Sequence, residues 1–241
     1  MKRTASNRLP AAFTLVELLV VIAIIVILMG LLLAAVPAVK EAARKADARN
    51  TVNMVVTAVN SYYTEYARFP PTEDPNQAST TPTASVDDVA VGGASMGLTI
   101  PNNVLFYTLR NIPKGVNDSY GCNPRKVVFY DGKSASVNSA GRARNGFYDK
   151  TSTGGTPAAG EESCLYDPWG QQYGIIFDVN GDDRIDLKGL YADYTGVDAS
   201  GLAPRRKVGA FSTGKDEKLG NNGDKVYKNG SELSDDVVSW E

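Results

Sequence analysis

The chain of 241 residues contains no histidine. That absence removes the imidazole base, His-dependent nucleophilic triads and every His-ligated zinc site. Cysteine is scarce: Cys122 and Cys164 stand alone. In an oxidising compartment they are free to join, and the other reading is two unpaired buried thiols. An excess of positive charge is missing too, since 25 basic residues face 27 acidic ones for a net charge of −2. Recognition of a phosphate backbone needs a basic surface, so no nucleic-acid partner is expected. No nucleophile beside its base, phosphate-cradling loop or transition-metal cluster is present, and the sequence reads as that of a non-enzyme.

Charge is also missing locally. The 27 residues from Phe13 to Val39 carry a single ionisable side chain, Glu17. About 20 apolar residues suffice to cross a bilayer as a helix. A carboxylate at membrane depth costs roughly 2.5–3.5 kcal/mol on insertion scales and calls for a partner. The leader before this run holds Lys2, Arg3 and Arg8 and no acid, which favours a cytoplasmic N-terminus. Lys40, Arg44, Lys45 and Arg49 on the far side weaken the asymmetry, so orientation rests on the leader. A secretory signal is cut after a short apolar stretch, whereas here the plausible cut, between Ala12 and Phe13, precedes a long one. Such a cut frees an amine on Phe13, a cation suited to Glu17 of a neighbouring subunit.

Past the span the helical pattern continues but becomes amphipathic. Val39, Ala42, Ala43, Ala46, Val52, Val55, Val56, Val59, Tyr62, Tyr63 and Tyr66 recur at steps of three or four. Gly30 and Pro37 weaken or bend the helix, and Phe69-Pro70-Pro71 ends it. A helix from Phe13 to Tyr66 is roughly 80 Å long, more than a bilayer needs, so its second half must pack on a head domain. The tyrosines there read as head core.

The rest reads as one modest β-rich head. Thr72 to Gly97 and Ser134 to Gly160 are rich in small and polar residues and read as surface loops. Asn102 to Asn111 predicts a short helix closed by Pro113, and Lys126 to Tyr130 predicts a strand. Tyr173 to Asp178 and Asp183 to Leu187 predict a hairpin through Asn180-Gly181. Asp178, Asn180, Asp182 and Asp186 match four positions of an EF-hand loop. However, Asp183 replaces its glycine and Gly189 its bidentate glutamate, so a simple acidic hairpin is the preferred reading.

The run Phe13-Thr14-Leu15-Val16-Glu17-Leu18-Leu19-Val20-Val21-Ile22-Ala23-Ile24-Ile25 resembles the class III signal of type IV pilins and type II secretion pseudopilins. The resemblance implies that a prepilin peptidase removes residues 1–12 and methylates Phe13. Ala12 stands where the family usually has Gly. Asp167-Pro168-Trp169-Gly170 looks like a segment of the major pseudopilin of type II secretion. So do Ala67-Arg68-Phe69-Pro70, Phe211-Ser212-Thr213-Gly214-Lys215-Asp216 and the ending Asp235-Asp236-Val237-Val238-Ser239-Trp240. In that family a C-terminal loop holds calcium, and the matching positions here are Asp216, Asp235 and Asp236. Asn221 to Ser234 makes this loop longer than the family pattern, with Glu217, Asp224 and Glu232 as substitute ligands.

The expectation is therefore an α+β pilin-like subunit, with a long N-terminal helix on a small antiparallel sheet. Residues 1–12 form a leader, 13–39 a transmembrane and assembly helix, 40–69 its amphipathic continuation and 70–241 a periplasmic head. The resemblance implies a single-pass inner-membrane protein that polymerises into a periplasmic filament driving secretion. Its implied partners are further copies of itself, minor pseudopilins, the prepilin peptidase and the inner-membrane assembly platform. A type IV pilin for adhesion, motility or DNA uptake and a membrane-tethered binding module or enzyme are the other readings.

Overall fold

The computed structural model describes residues 14–72, 88–149, 160–187, 189–192, 204–229 and 232–241. The chain divides into two compact units, Met1–Ala43 and Arg44–Glu241. Helix α1, Leu15–Tyr66, runs unbroken through Gly30 and Pro37. At its start Thr14 and Glu17 form a reciprocal cap. The Thr14 N–H and hydroxyl donate to Glu17 Oε2 at 2.9 and 2.7 Å, and the Glu17 N–H donates to Thr14 Oγ1 at 3.2 Å. In the first unit the large apolar side chains from Leu15 to Val39 are all exposed, Leu33 at 72%. By length and composition this helix suffices to cross a membrane.

In the second unit the helix is amphipathic, as its spacing predicts. Ala48, Val52, Val55, Ala58, Val59 and Tyr62 are buried in one core with Leu105, Phe106, Leu109, Ile175, Phe177, Ala210 and Val237. Burying each of the larger of these side chains stabilises the fold by about 1.5–3 kcal/mol. Of the three tyrosines, Tyr62 is buried in the core and Tyr66 packs half-buried against it, both with anchored hydroxyls: Tyr62 donates to the Cys122 carbonyl at 2.7 Å and Tyr66 to Asn123 Oδ1 at 2.8 Å, while Tyr63 is half-buried against the Phe69 ring. The helix stops at Tyr66, where Ala67 turns left-handed with φ 52° ahead of Phe69-Pro70.

The head follows as β1 (Val89–Val91), α2 (Asn103–Leu109), β2 (Ser136–Val137), β3 (Ala143–Arg144), β4 (Gly146–Phe147) and β5 (Leu165–Tyr166). Then come β6 (Gly174–Phe177), β7 (Val208–Ser212), β8 (Lys228–Asn229), β9 (Glu232–Leu233) and β10 (Val237–Val238). The main sheet is antiparallel in the order β1-β6-β7-β10, with Ile175 opposite Ala210 and Val238 opposite Phe211. Ile175, Phe177, Ala210 and Val237 join the α1 core. Their neighbours Ile176, Phe211 and Val238 join a second core with Ile185, Leu187, Tyr191, Leu219, Tyr227 and Trp240. Both faces of the sheet are thus covered. This is the α+β architecture expected: a long N-terminal helix packed through its second half on a small antiparallel sheet.

Four local expectations are corrected. Asn180-Gly181 makes no hairpin, because β6 already has β1 on one edge and β7 on the other. The segment 178–187 folds instead around Asp178, which accepts the Gly181 and Asp183 N–H groups at 2.7 and 2.9 Å, and sends Ile185 and Leu187 into the second core. Lys126 to Tyr130 is no strand. The Phe129 and Tyr130 N–H groups both donate to the Leu109 carbonyl, at 2.9 and 3.2 Å, so the segment closes the end of α2. The expected loop Thr72 to Gly97 contains β1, whose three residues are too few to announce a strand, and Ser134 to Gly160 contains β2, β3 and β4. Residues 73–87 and 150–159 of those loops lie outside the described residues. Of the two readings left open for the cysteines the structure has the free thiols, Cys164 buried and Cys122 half-buried. Burial pushes the Cys164 thiol up to about 12.

Candidate cation site in the C-terminal loop

Strand β7 ends at Ser212, and the chain turns back through Gly214, where φ is +67° and any Cβ would meet the Asp235 carbonyl at 2.5 Å. Glycine is required there because the two loop segments touch. The return path crosses the second core, where Leu219 and Tyr227 are buried, and re-enters the sheet as β10. This path sets Asp216 beside the pair Asp235-Asp236.

The carboxylate oxygens of Asp216, Asp235 and Asp236 lie within 4.8 Å of one another, among the described residues. Loop N–H groups orient them. Asp235 Oδ2 accepts from Lys215 and Asp216 at 2.6 and 3.0 Å. Asp216 accepts from Lys218 at 2.9 Å and from Asn222 at 2.6 Å. Asp236 Oδ2 accepts the Gly220 N–H at 2.8 Å and the Tyr191 hydroxyl at 2.9 Å. Its other oxygen, Oδ1, is buried and has no donor among the described residues, in a residue only 3% exposed.

That oxygen sets the electrostatics. Burial pushes the Asp236 carboxyl up to about 7, the charges of Asp235 and Asp216 push the same way, and the Gly220 and Tyr191 hydrogen bonds oppose them. A buried carboxylate oxygen facing two more acids favours either a proton or a cation. The donor set is all oxygen, which suits a hard divalent ion and offers nothing to zinc's preference for nitrogen or sulfur. The residues present therefore fit a divalent cation.

The structure gathers all three acids that the sequence pointed to. Two of the substitute ligands are employed elsewhere. Asp224 Oδ1 closes a turn by accepting from Asn221 and Val226 at 2.8 and 2.9 Å. Glu217 Oε2 accepts from Arg142 at 2.8 Å and Gln171 at 2.9 Å. The Glu232 side chain lies outside what is described. Tyr191, which holds Asp236, was not singled out by the sequence, and no local motif marks it. Asp167 was visible within Asp-Pro-Trp-Gly, but its role was not: Oδ1 accepts the N–H groups of Trp169, Gly170 and Gln171 at 3.0, 2.7 and 2.9 Å. Its Oδ2 accepts the Ser212 hydroxyl at 2.6 Å, tying this turn to the mouth of the C-terminal loop.

Of the processing and assembly residues, Ala12 and Phe13 lie outside the described residues, and Glu17 sits in the first turn of α1 within the reciprocal cap. Residues 8–33 match the family described as prokaryotic N-terminal methylation motif. No curated protein and no solved structure matches the chain. That motif, the long apolar helix it opens and the small antiparallel sheet behind it together support a place for this chain in the type IV pilin-like superfamily.

Proposed function

We propose that the protein is a pseudopilin, a structural subunit that polymerises into a periplasmic filament serving type II protein secretion. The observation that carries this reading is the methylation motif over residues 8–33 at the head of a helix whose apolar half is wholly exposed. A helix of that kind needs a lipid or a protein surface against it at every stage. In this reading the prepilin peptidase removes residues 1–12 and methylates Phe13. The subunit waits in the inner membrane with residues 13–39 spanning it, and the assembly platform then draws it into a helical polymer with minor pseudopilins. Glu17 pairs there with the Phe13 amine of a neighbour, because an intramembrane carboxylate is costly unless a cation offsets it.

The secretion assignment, within the wider pilin-like group, draws support from the Asp-Pro-Trp-Gly turn and from the C-terminal acids. Asp216, Asp235 and Asp236 would hold calcium, which accepts six to eight oxygen ligands in flexible geometry and tolerates carboxylates mixed with carbonyls. Bound there, the ion supplies positive charge that neutralises the repelling acids and keeps the loop folded on the sheet.

The intact mass of the protein purified from membranes tests the processing step. The expected species begins at methylated Phe13, and a chain retaining Met1 or cut after the apolar run would sink the reading. Glu17→Ala should leave membrane insertion intact and impair filament assembly. Normal filaments from that variant would remove Glu17 from the mechanism.

A further inference from the structure

Glu217 follows Asp216 directly and adopts a left-handed backbone, φ 62°, which is unfavourable for a residue with a Cβ unless its surroundings impose it. The surroundings do so from both sides. On one side the Lys215 and Asp216 N–H groups are held by Asp235 Oδ2, and on the other the Gly220 N–H is held by Asp236 Oδ2. Two of the acids of the cation site therefore anchor the short segment that carries Glu217. From that position its Oε2 receives Arg142 Nη2 at 2.8 Å and Gln171 Nε2 at 2.9 Å. Arg142 ends the turn between β2 and β3, whose Asn138 Oδ1 accepts the Ala140 and Arg142 N–H groups at 3.0 and 2.9 Å. Gln171 closes the turn organised by Asp167. The three side chains wall an open polar cleft of about 540 Å³, completed by Ser95, Glu161 and Gln172.

We propose that a divalent cation at Asp216, Asp235 and Asp236 closes the Glu217 clamp on Arg142 and Gln171 and thereby fixes the wall of this cleft. The inference rests on the cation reading of that site. With no cation, three carboxylates within 4.8 Å repel one another, and Asp235 and Asp236 cannot hold both ends of the segment as firmly. A neutralising ion removes the repulsion and leaves their second oxygens accepting the loop N–H groups. Asp236 Oδ1, buried and without a donor among the described residues, is the atom a cation would take first. Glu217 is then a positioning residue. Its carboxylate is no ligand, and it conveys occupancy of the loop to a hairpin far away in sequence. The cleft becomes a surface of the head whose shape depends on the divalent cation supply.

The test is amide hydrogen exchange on the full chain in detergent micelles, with calcium chloride or with a chelator, alongside thermal unfolding of the same samples. Calcium is expected to raise the melting temperature and to slow exchange by about tenfold in peptides covering 138–144 and 169–172. In Glu217→Ala and in Arg142→Ala, which breaks the clamp from its exposed side, the calcium-dependent melting shift should persist while protection of 138–144 disappears. A wild-type melting shift with no change in either peptide would overturn the clamp and leave the cation site standing. No melting shift at all would overturn both.

Discussion

Replacing Asp167 by alanine should cost the head a large part of its stability, whereas replacing it by asparagine should cost little. The carboxylate holds the N–H groups of Trp169, Gly170 and Gln171 and the Ser212 hydroxyl, at 2.6–3.0 Å. Gly170 retains a second acceptor in the Asp167 carbonyl at 3.2 Å, so alanine strands the other three donors in a site where Asp167 is fully buried. At roughly 1 kcal/mol or more for each stranded donor, the loss is about 3–4 kcal/mol, against a usual total of 5–15 kcal/mol. Asparagine keeps an oxygen for the three N–H groups, and the Ser212 hydroxyl turns to accept from the new amide, so about 1 kcal/mol is expected. The pH dependence separates the two further. Burial pushes the Asp167 carboxyl up to about 6 against the hydrogen bonds that lower it. Between about pH 4 and pH 6 the folded chain keeps a proton that the unfolded chain releases. The stability linked to this proton is thus complete below pH 4 and is lost as pH rises through about 6, a slope that asparagine abolishes, while the carboxylate's hydrogen bonds remain. Urea unfolding followed by the fluorescence of the buried Trp169 and Trp240 measures both effects. An alanine variant within about 1 kcal/mol of wild type, or asparagine and alanine variants falling together, would refute the account.

A methyl group at Gly174 would stand 2.3 Å from the Phe211 ring across the β6-β7 ladder, so Gly174→Ala should destabilise by about 2 kcal/mol, read as a lowered urea midpoint. Arg110 forks onto Asp149 at 3.0 and 2.9 Å while lying 3.9 Å from the centre of the Phe147 ring. Lysine can reproduce neither the fork nor the stacking, and Arg110→Lys should lower stability by about 1–2 kcal/mol in the same assay. Calcium at a hundred times its Kd should stabilise the wild-type head by about 2.7 kcal/mol, and Asp216→Ala should shrink that gain. Magnesium, which demands stricter octahedral geometry, should shift the melting temperature much less, and equal shifts from both ions would count against the calcium assignment.

The extent of α1 was legible because its signals are local: an apolar run longer than a bilayer, apolar residues recurring at steps of three or four, and Pro70 to stop it. The same holds for α2, expected over Asn102 to Asn111 and observed over Asn103–Leu109. The sheet was harder to read. A strand with one face in water alternates polar and apolar residues, but β6 and β7 are buried on both faces and show no alternation. The Asn180-Gly181 turn signal misled because hairpin formation needs a free edge beside β6, and β1 and β7 occupy both.

The sequence by itself determined the membrane-length helix, its motif and the identity of the three C-terminal acids. These depend on composition and on spacing along a single stretch, which chain geometry converts directly into a face or a length. Only the tertiary structure decided that Asp216 meets Asp235 and Asp236, that Asp236 keeps a buried oxygen without a donor among the described residues, and that Glu217 turns away to hold Arg142 and Gln171. Those facts come from residues far apart in the chain. Their juxtaposition follows from how the two covered faces of one small sheet route the loops between strands, and no local propensity encodes that path.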